Sequence, residues 1–340
     1  MQTRYLGALF SILLALMLAV LVLGLWTYRE WTAPYQHYTG AGKFVVIERG
    51  KSSLKIAKQL ADEGVISQPW TFLACVAFRR SRLQAGEYYF EGPLRQSAVL
   101  NQVARGKVYL HAMTIPEGYT SEQIAELIAQ SGLSPKVETL SEMSRLDLIS
   151  DIDPEAVDLE GYLFPDTYRL PRHASATEII RRMVARFREV FDTGHVAQAA
   201  AQGLTVRQAV ILASMIEKET GVDDERPLVS EVFHNRLRMD MLLQCDPTVI
   251  YGLVREGRYG GVLNHTALLY DTAYNTYRYA GLPPGPIANP GKKAIDAAVS
   301  PSQGGWLYFV SSNDGSHQFS TTLTEHNRAV QRYRKNFTGR

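Results

Sequence analysis

The sequence predicts an α+β protein with a single N-terminal transmembrane helix, a small α/β subdomain and a larger mixed α+β domain. Three observations predict it. Leu6 to Trp26 is an apolar run with Ser11 its one polar side chain and no charge. Residues 43–108 carry a strand–helix–helix–strand pattern followed by a short helix. From Val108 the periodicity turns mainly helical, with one clear late strand and many turn formers near the end.

At 1.5 Å rise per residue the apolar run spans the ~30 Å hydrocarbon core of a bilayer. It exceeds the apolar region of a cleaved leader (about 7–15 residues), and Leu25-Trp26-Thr27-Tyr28 is a poor cleavage site. A retained transmembrane helix over residues 6–27 is therefore expected. Arg4 and the amino terminus precede the run, while Arg29 and Glu30 nearly cancel after it. The positive-inside tendency then puts residues 1–5 in the cytoplasm and the bulk of the chain on the other side.

Residues 28–42 read as a tether. Phe44 to Ile47 reads as a strand, and Ser53 to Glu63 as a helix with Leu54, Ile56, Ala57, Leu60 and Ala61 on one stripe and Gly64 as its stop. A second helix starts near Pro69, Gly86 to Phe90 looks like a returning strand, and Gln96 to Ala104 is a short helix closed by Gly106. A strand through Ile115 then leads to Pro116-Glu117-Gly118-Tyr119. Thr120 to Gln123 is a capping box for a helix over Ser121 to Gln130. Helices predominate to about residue 240, and Trp306 to Val310 is the late strand.

Composition excludes several classes. A net charge of +2 and a pI near 8.4 suggest no nucleic-acid partner. Two cysteines, Cys75 and Cys245, are too few for a disulfide framework or a thiolate metal site, and whether they pair is left open. There is no phosphate-binding loop, dinucleotide fingerprint, zinc helix or serine elbow, and the eight histidines show no ligand spacing. Carboxylates remain as the candidates for chemistry.

The helix Val206 to Glu219 is the informative one. Thr205 to Gln208 caps its start, and a ~100° turn per residue puts Ala209, Leu212, Met215, Ile216 and Glu219 on one face. Glu217 points off that face, beside Val210 and Ala213. A carboxyl on an apolar face loses hydration when charged, so its pKa rises. The helix C-terminus and the following Asp223, Asp224 and Glu225 push the same way. A carboxylic acid protonated near neutrality suits glycosidic cleavage. The residues alone leave a second reading open, a helix-end glutamate paired with Arg226 or Arg236.

The stretch Leu212 to Thr220 (LASMIEKET) resembles the signature of the MltG (YceG-like) endolytic murein transglycosylases. Further matches follow in order: Val232 to Leu237, Leu243 to Gly252, Ala273 to Tyr277 and Gly281 to Ile287, with Leu159 to Tyr168 upstream. The resemblance covers essentially the whole chain. Cys245 departs from it, standing where a small polar residue such as threonine is expected. The resemblance implies a LysM-like subdomain over 43–108 and a catalytic domain over 109–340. It also implies a lyase that cuts the MurNAc–GlcNAc bond within nascent peptidoglycan and leaves 1,6-anhydroMurNAc ends. One glutamate serves as acid and then base. Both acids of Glu-Lys-Glu match; the helix-face argument selects Glu219, with Glu217 as a supporting or alternative carboxylate.

Gln244, Asp246, Tyr251, Tyr274, Asn275 and Tyr277 are implied glycan contacts. No metal or organic cofactor is implied. The implied partners are glycan strands, the membrane through a single-pass anchor, and peptidoglycan synthases. The implied place is the cell inner membrane, with the bulk of the chain periplasmic. Two other classes stand beside this one: a hydrolytic muramidase with Asp246 or Asp166 as partner carboxylate, and a non-catalytic membrane-tethered glycan-binding scaffold.

Overall fold

The computed structural model describes residues 2–312 and 314–338. Met1, in the expected cytoplasmic stub, and Gly339-Arg340, at the end of the expected catalytic domain, lie outside them. The fold is mixed α+β, and the chain divides into two compact units: residues 1–111 with 169–173, and residues 112–168 with 174–340.

The first unit begins with α1 (Gln2–Thr32). Its stretch Leu9–Thr32 is long and apolar enough to cross a membrane, and its large apolar side chains from Leu9 to Trp26 are exposed. Residues 28–42, expected as a tether, carry the end of α1 and a short strand. No proline or glycine interrupts Leu25 to Ala33, so α1 continues to Thr32 and stops just before Pro34. Strand β1 (Pro34–Tyr35) follows, then β2 (Gly42–Ile47), α2 (Ser53–Asp62), α3 (Pro69–Phe78), β3 (Gly86–Glu91), β4 (Leu94–Arg95) and α4 (Gln96–Ala104). β2 and β3 pair antiparallel with Val45 opposite Tyr88, and β1 pairs with β4. The inward side chains Val45, Ile47, Tyr88 and Phe90 meet Ile56 and Leu60 of α2, Phe72 of α3 and Leu100 of α4 in one core.

Next come β5 (Leu110–Thr114), α5 (Ser121–Gln130), α6 (Lys136–Glu142), β6 (Thr167–Pro171), α7 (Ala176–Val190) and α8 (Thr193–Ala201). β5 and β6 form a two-stranded sheet. The expected capping box at α5 is present, with Thr120 and Gln123 bonding reciprocally. The chain continues through α9 (Val206–Glu219), α10 (Arg226–Arg238), α11 (Asp246–Arg255), α12 (His265–Leu268), α13 (Lys292–Val299), β7 (Tyr308–Ser311), β8 (His317–Ser320) and α14 (Leu323–Thr338).

The second unit packs around α9. Its residues Ala209 to Ile216 are all buried, because the run Ala-Val-Ile-Leu-Ala-Ser-Met-Ile is apolar on nearly every side. The one polar member, Ser214, donates to Ile211 O (2.7 Å) and accepts from Ile287 N (3.0 Å), which ties the Pro-Pro-Gly-Pro segment to the helix. Gly161 makes the matching approach possible. Its φ of +87° suits glycine, and a Cβ there would lie 2.6 Å from Pro286 and 2.8 Å from Val210 of α9.

Candidate active site

Thr205 and Gln208 close the expected capping box at the start of α9, and Thr220 in extended conformation ends the helix directly after Glu219. The two acids at that end have different surroundings. Glu217 keeps only 7% of its side-chain surface exposed. It faces Arg226 at 3.4 Å and accepts from Gly291 N at 3.0 Å. The side chain that helix geometry turned away from the apolar stripe is thus enclosed, because α10 and the Asn289-Pro290-Gly291 turn cover that side as well. Arg226 pairs with Glu217 and not with Glu219.

Glu219 is half-buried. Burial pushes its pKa up to about 7; the neighbouring Cys245 thiol, as a donor, pulls it down, Asp246 raises it, and His317 and Arg236 lower it. The Cys245 thiol is itself pushed up by burial, so it stays a donor.

Four separate segments build this surround. Residues 244–248 are zipped to 276–277: Gln244 N donates to Thr276 O (3.1 Å), Cys245 N to Thr276 Oγ1 (3.0 Å), and the Thr248 and Thr276 hydroxyls share a 2.9 Å bond. That places the Tyr277 hydroxyl on Asp246, the first residue of α11. Gln244 holds a left-handed backbone (φ +52°), a strained conformation for a residue with a side chain, and its exposed amide accepts from Arg236 (3.4 Å). Arg236 is fixed by Leu307 O (2.8 Å) and Leu243 O (2.9 Å), with its guanidinium 5.2 Å above the Tyr308 ring. His317, at the start of β8, is held by Glu225, which accepts from its backbone N and its Nδ1, both at 2.7 Å.

Of the residues singled out from the sequence, Gln244, Asp246 and Tyr277 gather with Glu219. The other three do not share that cluster. Asn275 is fully buried and orders its own loop, donating to Leu268 O and Tyr270 O and accepting from Tyr277 N. Tyr251 and Tyr274 pack against each other with tilted rings, centroids 4.9 Å apart. The Tyr251 hydroxyl meets Glu160 at 3.2 Å and Arg255 at 3.1 Å. Five residues along α11 turn Tyr251 about 140° from Asp246, so the two serve different faces. Asp166 is engaged by Arg186 at 2.8 Å. Arg236 and Glu225 stand among the residues the sequence offered around this helix end, whereas His317 was not anticipated: no local signal links it to a helix end about a hundred positions away.

Glu160 heads a second buried cluster. It accepts from Ser121 N (3.0 Å), Asn289 Nδ2 (2.8 Å) and Tyr251, and burial pushes its pKa up to about 7. It borders a cavity of about 520 Å³ with Asp158, Tyr251 and Arg255. A cavity of about 710 Å³ lies beside Arg207 and Gly281 to Pro284, at the opposite end of α9 from Glu219. Among the described residues no group of three or more His, Cys, Asp or Glu side chains is arranged to hold a metal ion. Cys75 and Cys245 are free thiols.

The model of the YceG-like family matches residues 45–332, which takes in both units and the whole surround of Glu219. This chain belongs to the YceG-like family. A relative in Bacillus subtilis (strain 168), named endolytic murein transglycosylase, is 31% identical over 304 residues, covering 84% of this chain and 83% of its own. One of the same name in Streptococcus pneumoniae (strain D39) is 27% identical over 316 residues, covering 84% of this chain and 57% of its own. The crystal structure of a YceG-like protein from Listeria monocytogenes superposes with a TM-score of 0.58 at 32% identity, covering 85% of this YceG-like chain and 99% of the other.

Proposed function

We propose that this protein is an endolytic lytic transglycosylase that cuts the MurNAc–GlcNAc bond inside nascent peptidoglycan strands and so terminates their elongation. The observation that carries the reading is Glu219, a half-buried carboxyl with its pKa pushed up to about 7 at the end of α9. The names of the curated relatives supply the substrate class.

The chemistry follows from one carboxyl used twice. Protonated Glu219 donates to the leaving glycosidic oxygen as positive charge grows on the sugar. The nearby Asp246 carboxylate, oriented by Tyr277, favours that charge. Glu219, now a carboxylate, takes the proton from the C6 hydroxyl of the same MurNAc, whose oxygen closes on C1. The product is a 1,6-anhydro end, no water is consumed, and no metal or organic cofactor takes part. Gln244 and Tyr277 contact the glycan beside the reacting bond. Glu217 supports the end of α9 through Arg226 and Gly291.

In this reading α1 anchors the protein in the cell inner membrane with residues from about 30 onward in the periplasm. Residues 43–108 serve as a LysM-like glycan-binding subdomain and 109–340 as the catalytic domain. Peptidoglycan synthases are the expected neighbours, since the substrate is a strand still being made. The test is mass spectrometry of purified glycan strands digested with the full-length protein. Anhydro ends support the reading. Products that have gained water would assign a muramidase with Asp246 as the second carboxylate, and no released product would leave a binding scaffold.

A further inference from the structure

Helix α3 is apolar along almost its whole length, PWTFLACVAF, yet only one side of it is packed. Thr71, Phe72 and Val76 face the core of the first unit. On the opposite side Trp70 is 67% and Phe78 90% exposed, with Ala74 and Ala77 exposed between them. Trp70, Ala74 and Phe78 follow at four-residue spacing, so they form one stripe. The helix runs into Arg79-Arg80-Ser81-Arg82, whose three arginines are exposed and have no ion-pair partner among the described residues.

The contacts of α3 with α1 say what covers this face. Ser67, just before α3, donates to Glu30, and Arg79, just after it, lies 5.3 Å over the Trp31 ring. Both ends of α3 therefore meet α1 at nearly the same height, so α3 crosses the end of α1 instead of running along it. Glu30 and Trp31 stand four and five residues beyond Trp26, about 6–7.5 Å further along the helix axis. The headgroup layer on each side of a bilayer is about 5–7.5 Å thick. The core of the unit packs on one side of α3, which leaves the exposed stripe as the side of this helix free to meet a bilayer.

We propose that α3 lies on the membrane surface, with Trp70, Ala74 and Phe78 seated in the interfacial layer and Arg79, Arg80 and Arg82 on the phosphates of anionic lipids. Aromatic rings suit that layer, and arginines suit phosphate. The first unit is then fixed against the bilayer instead of swinging from α1. This rests on the reading of α1 as a membrane anchor.

The test uses full-length protein carrying Cys75→Ser, reconstituted in phosphatidylcholine vesicles with and without phosphatidylglycerol. A spin label is placed at Ala74→Cys, or at Val20→Cys within α1 as reference. Collision with oxygen, which partitions into lipid, is compared with collision with a water-soluble nickel chelate. The expected result is preference for oxygen at both sites, stronger at position 74 when phosphatidylglycerol is present. Arg80→Glu with Arg82→Glu should abolish that lipid-dependent gain. A label at position 74 that meets the nickel chelate freely while the one at 20 stays in lipid overturns the proposal and spares the anchor. Nickel access at position 20 overturns the anchor itself. A label at 74 shielded from both reagents overturns the proposal in favour of a protein contact, and an unchanged charge variant overturns the anionic-lipid role.

Discussion

The thiol of Cys245, at the N-cap of α11, stands beside the carboxyl of Glu219 at the end of α9, across 26 positions of sequence, and acts on it as a donor that lowers its pKa. A donor to the charged carboxyl favours its ionisation, so this contact lowers a pKa that burial raises. Replacing Cys245 with Ala removes the donor, and the alkaline limb of the activity–pH profile should move to higher pH. Cys245→Thr restores a donor and should leave the limb near its wild-type place. A profile that does not move with Cys245→Ala would show that the thiol has no hold on the acid.

A second prediction tests the packing that positions α9. Gly161→Ala must place a methyl against Pro286 and Val210 in a left-handed backbone conformation. Strain and overpacking together should cost about 2–5 kcal/mol, read as a lower urea midpoint. Because Pro286 belongs to the segment bonded to Ser214, glycan cleavage should fall along with stability. Unchanged stability would mean that the loop yields freely.

Local signals were legible in the sequence, and long-range ones were not. The limits of α9 and the capping boxes at Thr120 and Thr205 depend on residues a few positions apart, so the pattern alone located them. Glu219 was reachable by helix geometry for the same reason. The enclosure of Glu217 was not legible, because a helical wheel turns it off the apolar stripe without showing that Arg226 of α10 and the Gly291 turn close over it there. Tyr251 belongs with Glu160, 91 positions away, and His317 with Glu225, 92 positions away; neither link leaves a local trace. The amphipathic α14 was hidden behind the emphasis on turn formers in the last hundred residues.

Glu160 should make stability fall as pH rises. Its folded pKa, about 7, stands above the usual carboxyl value of 4.5, so the native state favours the protonated form. The stabilisation is fully present below about pH 4.5 and is lost as pH rises through about 7. A shift of this size corresponds to on the order of 3 kcal/mol at most. Glu160→Gln keeps an acceptor for Ser121 N and cannot titrate, so its urea midpoint should change less with pH between 5 and 8 than that of the wild type. Equal slopes in the two proteins would remove Glu160 from the account. The same variant should leave the pH profile of cleavage in place, because Glu160 is bonded within a cluster of Ser121, Asn289 and Tyr251 that Glu219 does not share.

The two acids of Glu-Lys-Glu should separate by which quantity each one moves. Glu219→Gln keeps the size and hydrogen-bonding capacity of the side chain but removes the titrating proton. Loss of general acid–base assistance is worth about 10²–10⁴-fold, so anhydro-end release should drop by at least that order. Stability should hold or rise slightly at pH 8, where the native enzyme must keep a poorly hydrated charge at that position. Glu217→Gln has the opposite signature. It leaves the 6%-exposed Arg226 guanidinium with Asp223 alone and weakens the grip on Gly291, at about 2–4 kcal/mol in stability. Cleavage by the fraction that remains folded should fall less than tenfold. A stable Glu217→Gln enzyme without activity, beside an active Glu219→Gln enzyme, would transfer the acid to Glu217 and leave the raised pKa of Glu219 as a consequence of burial alone.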